Sequence, residues 1–207
     1  MDSAQIAGAR INRSRREIAD RVVRRLYSET GDLMETHGLD HQTMVDHALH
    51  DLSKLFVAVI SHRPQLFANY VQWQRSVFVH RDIPAAAIQR HIQTLETILS
   101  DYLDPTEFSA VEPVLAAAYK VLQDTMAPER SFIDVTTPNG ELAERYLTHV
   151  CAGESEKAIS LVRSAVDAGV SLRDAYINVI QPVQQEVGRL WQINEISVAQ
   201  EHVATDI

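Results

Sequence analysis

Near the carboxyl end of this 207-residue chain, an indole and an acid–imidazole pair stand at a fixed separation: Trp191, nine residues, then Glu201-His202. An indole offers a flat apolar face, and an adjacent carboxylate and imidazole supply polar contacts at its edge. Such a set could lie over a flat ligand. The same residue types also suit a helix end in a core and a pair on the surface. A second group gathers aromatic and cationic side chains: Phe67, Tyr70 and Trp73, then Arg75, Phe78, His80 and Arg81. Aromatic residues at this helical spacing also make an ordinary bundle core.

Nine histidines raise the question of a metal. His37, His41, His47 and His50 cluster, with Asp40, Asp46 and Asp51 between them. Two imidazoles and a carboxylate on one helix face could hold zinc. A solvated, mildly pH-sensitive face is the alternative, no His-Glu-x-x-His occurs, and we expect no metal centre. The single cysteine, Cys151, excludes a disulfide within the chain and a cysteine-based zinc site. It fits a reducing cytoplasm, where we expect the protein to reside. Its expected role is a small packed residue near a helix end, not a nucleophile or a chromophore attachment point. No nucleophile elbow and no paired carboxylates stand out, so an enzyme is not the expected class.

The formal net charge is −9, which argues against a surface devoted to nucleic acid or acidic lipid. Residues 1–25 run the other way, with seven arginines against three carboxylates. Ile11, Ile18, Val22 and Leu26 keep helical spacing there, so an amphipathic helix with a solvated basic face is the natural reading. No apolar run approaches the ~18 residues of a membrane span, and no secretory leader is visible. Seven glycines are few for a phosphate-binding Rossmann or P-loop domain.

The elements that must position these residues read as helices nearly throughout, giving an all-α fold. The spacing predicts helices over about 4–30, ending near Gly31, then from an Asp40 N-cap to just before Pro64, over 64–79, from Asp82-Pro84 to about 103, and over about 106–125. Residues 127–138, with two prolines and two threonines, read as a linker between a bundle at 1–126 and a second unit at 139–207. Four more helices follow, at about 140–151, 154–168, 171–193 and 196–206, and Ser171 with Asp174 looks like a capping box.

The second unit resembles the helical cap module of cobalamin-binding proteins, whose signature is Trp, nine residues, then Glu-His. Cys151-Ala-Gly153-Glu154, Val166-Asp-Ala-Gly169-Val-Ser171, Tyr176, Gln181-Pro182, Val187-Gly188 and Ile196-Ser-Val-Ala-Gln200 fall in the module's order. The resemblance covers about the last third of the chain. It implies a four-helix bundle over the upper face of a corrin. In the adenosylcobalamin photoreceptor branch, it implies that Trp191 packs on the adenosyl group, with Glu201, His202 and the apolar Val198 in the same upper pocket. Some of these photoreceptors carry a histidine directly after the Trp that captures cobalt after light. Here that residue is Gln192, so a bis-histidine light state is not expected from this position.

The resemblance further implies a Rossmann-like domain after the cap, with Asp-x-His-x-x-Gly supplying the lower axial ligand. That motif does not occur in these residues, so the expectation is the upper half of a site in a truncated or longer receptor. Residues 1–126 lack the hairpin signals of a winged helix. They resemble the helical N-terminal region of cobalamin sensors that also bind a bilin, the photocobilins. This implies a biliverdin-type pocket with Trp73, with Arg75 or Arg81 on propionates, and with His80 or His91 near the pyrroles. The expected function is thus a cobalamin-binding, light-responsive sensor, with homo-oligomers as the expected assembly. The alternatives are a corrinoid methyl carrier and a tetrapyrrole-binding helical module.

Overall fold

A computed structural model describes residues 2–36, 40–126 and 128–207, with side chains described outside 30–36. Every regular element among the described residues is helical, and the chain divides into two compact units, Met1–Thr125 and Met126–Ile207. No described helix is long and apolar enough to cross a membrane.

The first unit contains α1 (Ser3–Thr36), α2 (His41–Ile60), α3 (Pro64–Val79), α4 (Ala85–Tyr102) and α5 (Pro105–Gln123). In α1 the positions Ala4, Ala7, Ile11, Ile18, Val22 and Leu26 are buried, which turns one stripe of a 34-residue helix into the bundle core. The helix does not stop near Gly31, because a helix tolerates one glycine at a cost of about 1 kcal/mol relative to alanine. Asp40 caps α2 by accepting the Thr43 amide at 2.7 Å, as its sequence position predicts. Pro64 opens α3, where the missing N–H costs nothing. Ahead of α4 the chain turns through Asp82 at φ 58°, and Pro84 occupies the cap position without a side-chain cap.

Asp104 and Glu107 form a reciprocal capping box on α5. Glu107 is also buried and pairs with Arg10 at 2.7 Å, while the Arg10 guanidinium lies over the Tyr102 ring. One carboxylate therefore caps α5 and ties it to α1. Here lies the partner of one of the seven N-terminal arginines. Gly8 lets α1 meet α2 closely, since a Cβ there would run into the Ile60 side chain.

The second unit contains α6 (Gly140–Cys151), α7 (Ser155–Asp167), α8 (Leu172–Ala175), a wide turn (Tyr176–Ile180), α9 (Gln181–Gln192) and α10 (Val198–Thr205). Its core is built from small and β-branched side chains: Ala143, Val150, Ala158, Val179, Val183, Val187, Ile196 and Ala204, with Tyr146. Ser171 accepts the Asp174 amide and gives its hydroxyl proton to the Asp174 carboxylate, so only one arm of the predicted box reaches the backbone.

The sequence spacing predicts a continuous helix over 171–193, but the structure widens it. The Gln181 amide donates to Tyr176 O, an i→i−5 bond. Pro182 supplies the cause: it has no N–H, and its ring would crowd the carbonyl four residues back in a tight α turn. Residues 131–139, read from sequence as part of a linker, are held against this unit. Ile133 packs on its core, and the Phe132 amide donates to the buried Glu186 carboxylate at 2.9 Å. Gly140 permits the entry, since a Cβ there would collide with the Asp134 carbonyl oxygen and Val135 Cα.

Candidate functional site

Trp191 lies in the last turn of α9, and a hydrogen-bonded stop fixes it there. Glu195 N–H donates to Leu190 O at 2.8 Å, and Asn194 N–H donates to Trp191 O at 3.1 Å, with Asn194 at φ 63°. This is a Schellman stop with asparagine in the left-handed position usually taken by glycine. Ile196 then tucks into the core, and Ser197 starts α10 through a capping box with Gln200. Two caps and one buried isoleucine thus set the distance between the indole and α10. Nine intervening residues are what this stop-and-restart requires.

Val198, Glu201 and His202 share one face of α10 by their i, i+3, i+4 spacing. Val198 is 53% exposed, and the His202 side chain is 72% exposed. His202 Nδ1 lies 3.1 Å from Glu201 Oε2, so acid and imidazole already touch. Ala204 provides the buried contact of α10, and its carbonyl accepts from Gln184 on α9 at 3.2 Å. The half-buried Trp191 packs against the unit's core. The indole is thus anchored in the core at the end of α9, while α10 carries an exposed valine and a polar pair.

Beneath this surface, Glu186 is buried and grips Arg189 through two bonds, at 2.7 and 3.0 Å. Burial alone would raise its pKa, but Arg189 and the Phe132 amide carry it below the usual carboxylate value. Cys151 ends α6, and burial, then the Glu186 charge, holds its thiol above the ordinary value. That environment disfavours a thiolate nucleophile. At the α6–α7 turn, Glu154 accepts from Lys157 and pairs with His149.

Of the residues of the second expected pocket, Trp73, Arg75, His80 and Arg81 lie on α3 or at its end, whereas His91 lies on α4. Arg75 Nη1 donates to Val121 O at 2.9 Å and Asp124 O at 2.7 Å, so this arginine caps the carboxyl end of α5. His80 Nδ1 meets Ser76 O at 2.8 Å, and Arg81 donates to Val77 O at 3.1 Å, both back onto their own helix. Trp73 is 39% exposed and stacks on Tyr70 at 5.9 Å, and the His50 ring lies 5.5 Å from Tyr70. His37 lies outside the described residues. Among the described residues, no group of three or more histidine, cysteine or acidic side chains is placed to hold a metal ion.

Sequence reasoning missed the densest polar site of the first unit. Asp51 of α2 is 1% exposed. Its Oδ1 accepts from the Tyr70 hydroxyl at 2.7 Å and from Gln74 Nε2 at 2.8 Å. His91 Nε2 of α4 comes within 2.7 Å of Oδ2, a contact carried by closeness more than by alignment. Burial alone would raise the Asp51 pKa, but the hydrogen bond and charge of His91, with Tyr70 and then His47, pull it below the ordinary value. The same carboxylate, with burial, raises the Tyr70 phenol strongly. Asp51 and His91 are forty residues apart, and only a correct packing of α2 against α4 would have joined them.

The C-terminal unit is thus a helical unit with an indole at the end of α9 and an acid–imidazole pair on α10. A family model described as B12 binding domain matches residues 142–207, the larger part of that unit. The five-helix unit lies outside the match. No curated protein and no solved structure matches the chain.

Proposed function

We propose that this protein is a cobalamin-binding sensor that uses adenosylcobalamin as its light-sensitive ligand. The observation that carries the reading is the match of residues 142–207 to the B12 binding domain, a stretch that holds Trp191, the exposed Val198 and the Glu201–His202 pair. Adenosylcobalamin supplies a weak, light-labile bond between cobalt and carbon. Trp191 offers its indole as an apolar lid to the adenosyl group. Covering such a group contributes a few kcal/mol, at about 25 cal/mol per Å² of apolar surface. Glu201 and His202 hold each other at the rim, which leaves a carboxylate oxygen and a ring nitrogen for polar groups of the ligand. Val198 keeps water from the apolar part of the contact. Loss of the upper ligand removes the contact with Trp191 and so biases whichever arrangement of the chain that contact stabilised.

The size of the indole supports an adenosyl-type lid over the smaller apolar lid that suits a methyl carrier. In the N-terminal bundle, the stacked Tyr70–Trp73 pair is the feature that supports a planar second ligand of the biliverdin type. The protein is incubated in darkness with adenosylcobalamin or biliverdin, passed through gel filtration, and its absorbance spectrum is recorded before and after illumination. Co-eluting corrin bands that change with light are expected. A protein peak without corrin bands, in a chain extended to include a cobalt-ligating histidine domain, refutes the reading. A red band from biliverdin assigns chromophore binding to the bundle. Gel filtration also reports the assembly, for which we propose a homo-oligomer.

A further inference from the structure

The chain that leads from α5 to α6 is fastened to α9 at more than one point. Gln192 Nε2 donates to Glu129 Oε1 at 3.2 Å, directly beside Trp191. Two turns earlier, the Phe132 amide donates to Glu186 Oε2, and Arg189 holds the same carboxylate from the turn between. Ile133 is packed into the core just beyond. Glu186, Arg189 and Gln192 recur every third residue, so the attachments follow one ridge of α9 that ends at Gln192, the residue after Trp191. The central attachment is a buried carboxylate at 3% exposure. Freeing it would leave a charge short of a partner in a dry setting, so attached and released states are well separated in energy.

We propose that residues 129–133 form a strap that positions Trp191, with Glu186 and Gln192 as its positioning residues. Releasing the strap loosens the last turns of α9 and moves the indole. By linkage, a ligand that fixes the indole tightens the strap. The connecting chain is then the route by which the state of the Trp191 face reaches residues outside the cap. The ligand part of this inference rests on the reading above, whereas the mechanical part does not.

The test uses the full chain with Trp73→Phe, which leaves Trp191 as its sole indole. Glu186→Gln keeps the side-chain shape but weakens the bonds to Arg189 and Phe132. Glu129→Ala loosens the strap at Gln192 without touching the buried carboxylate, and decides the matter if Glu186→Gln fails to fold. In either folded variant, exchange of the Phe132 amide should accelerate, and acrylamide should quench Trp191 about twofold more efficiently. Faster exchange with unchanged Trp191 emission and quenching overturns the proposal. If wild-type protein retains adenosylcobalamin, the strap variants should bind it about fivefold more weakly. Equal affinity overturns the linkage. Failure of the wild type to retain cobalamin refutes the sensor reading alone, since the quenching result still decides the strap.

Discussion

Replacing Asp51 with alanine removes the one carboxylate that joins α2, α3 and α4 in the first unit. Gln74 keeps a partner, because its amide also donates to the Tyr70 oxygen at 2.9 Å. The Tyr70 hydroxyl proton and the His91 ring do not keep theirs. An orphaned buried donor costs about 1–3 kcal/mol, and both the Tyr70 hydroxyl and the His91 ring lose their acceptor, so the expected loss is about 4 kcal/mol. Urea unfolding of a Trp191→Phe background reads this unit alone, since Trp73 stacks on Tyr70 beside the network. With a urea slope of about 2 kcal/mol per molar, the midpoint should fall by about 2 M. The Asp51 carboxyl is held below its ordinary 3.8, so its contribution is full above that value and fades as pH falls through the lower folded value. The gap between wild type and variant should therefore narrow below pH 3.8. A midpoint shift under about 0.5 M at neutral pH, or a gap that widens in acid, would refute the assigned role of the network.

Other substitutions probe the rest of the molecule. Trp191→Ala should weaken adenosylcobalamin binding by about 2 kcal/mol, roughly thirtyfold, with far-UV circular dichroism unchanged, as titrated by corrin absorbance. Gly140→Ala should lower the stability of the cap by about 1–3 kcal/mol, read by thermal unfolding, because the new Cβ meets backbone atoms that cannot rotate away. Glu107→Ala should cost about 2–3 kcal/mol in the first unit, whereas Arg10→Ala at the exposed end of the pair should cost under about 1 kcal/mol, both measured by urea unfolding.

The helices were legible because their punctuation is local. Asp40 and Pro64 lie at the starts of α2 and α3, and each acts through atoms within a few residues. The spacing from Trp191 to His202 has an equally local cause, since it is one helix stop and one restart. The wide turn was not legible, although Pro182 signals it, because a proline in a helix can also kink or end it. Tertiary pairings were hidden throughout. Arg75 reads as a ligand-binding cation until α5 places two carbonyls in its reach. Glu186 looks like any acidic residue of an amphipathic helix until residues 131–133 fold over it. The proline- and threonine-rich stretch before α6 has the composition of a tether, yet its amides and Ile133 belong to the cap.

The wide turn at Tyr176–Ile180 has a consequence for the phase of the helix around it. Ala175, Val179, Val183 and Val187 are all buried, and they are spaced four apart. In a regular α-helix each such step drifts about 40° around the axis, so three steps would carry the stripe about 120° away from its start. The looser winding takes back part of that drift and keeps the valines on one side. One surplus residue is thereby stored in the turn. Removing a residue there should let the helix close into regular winding with its flanks still in phase. Removing one between Val183 and Trp191 should instead rotate the indole about 100° against the valine stripe and take it out of its place against the core.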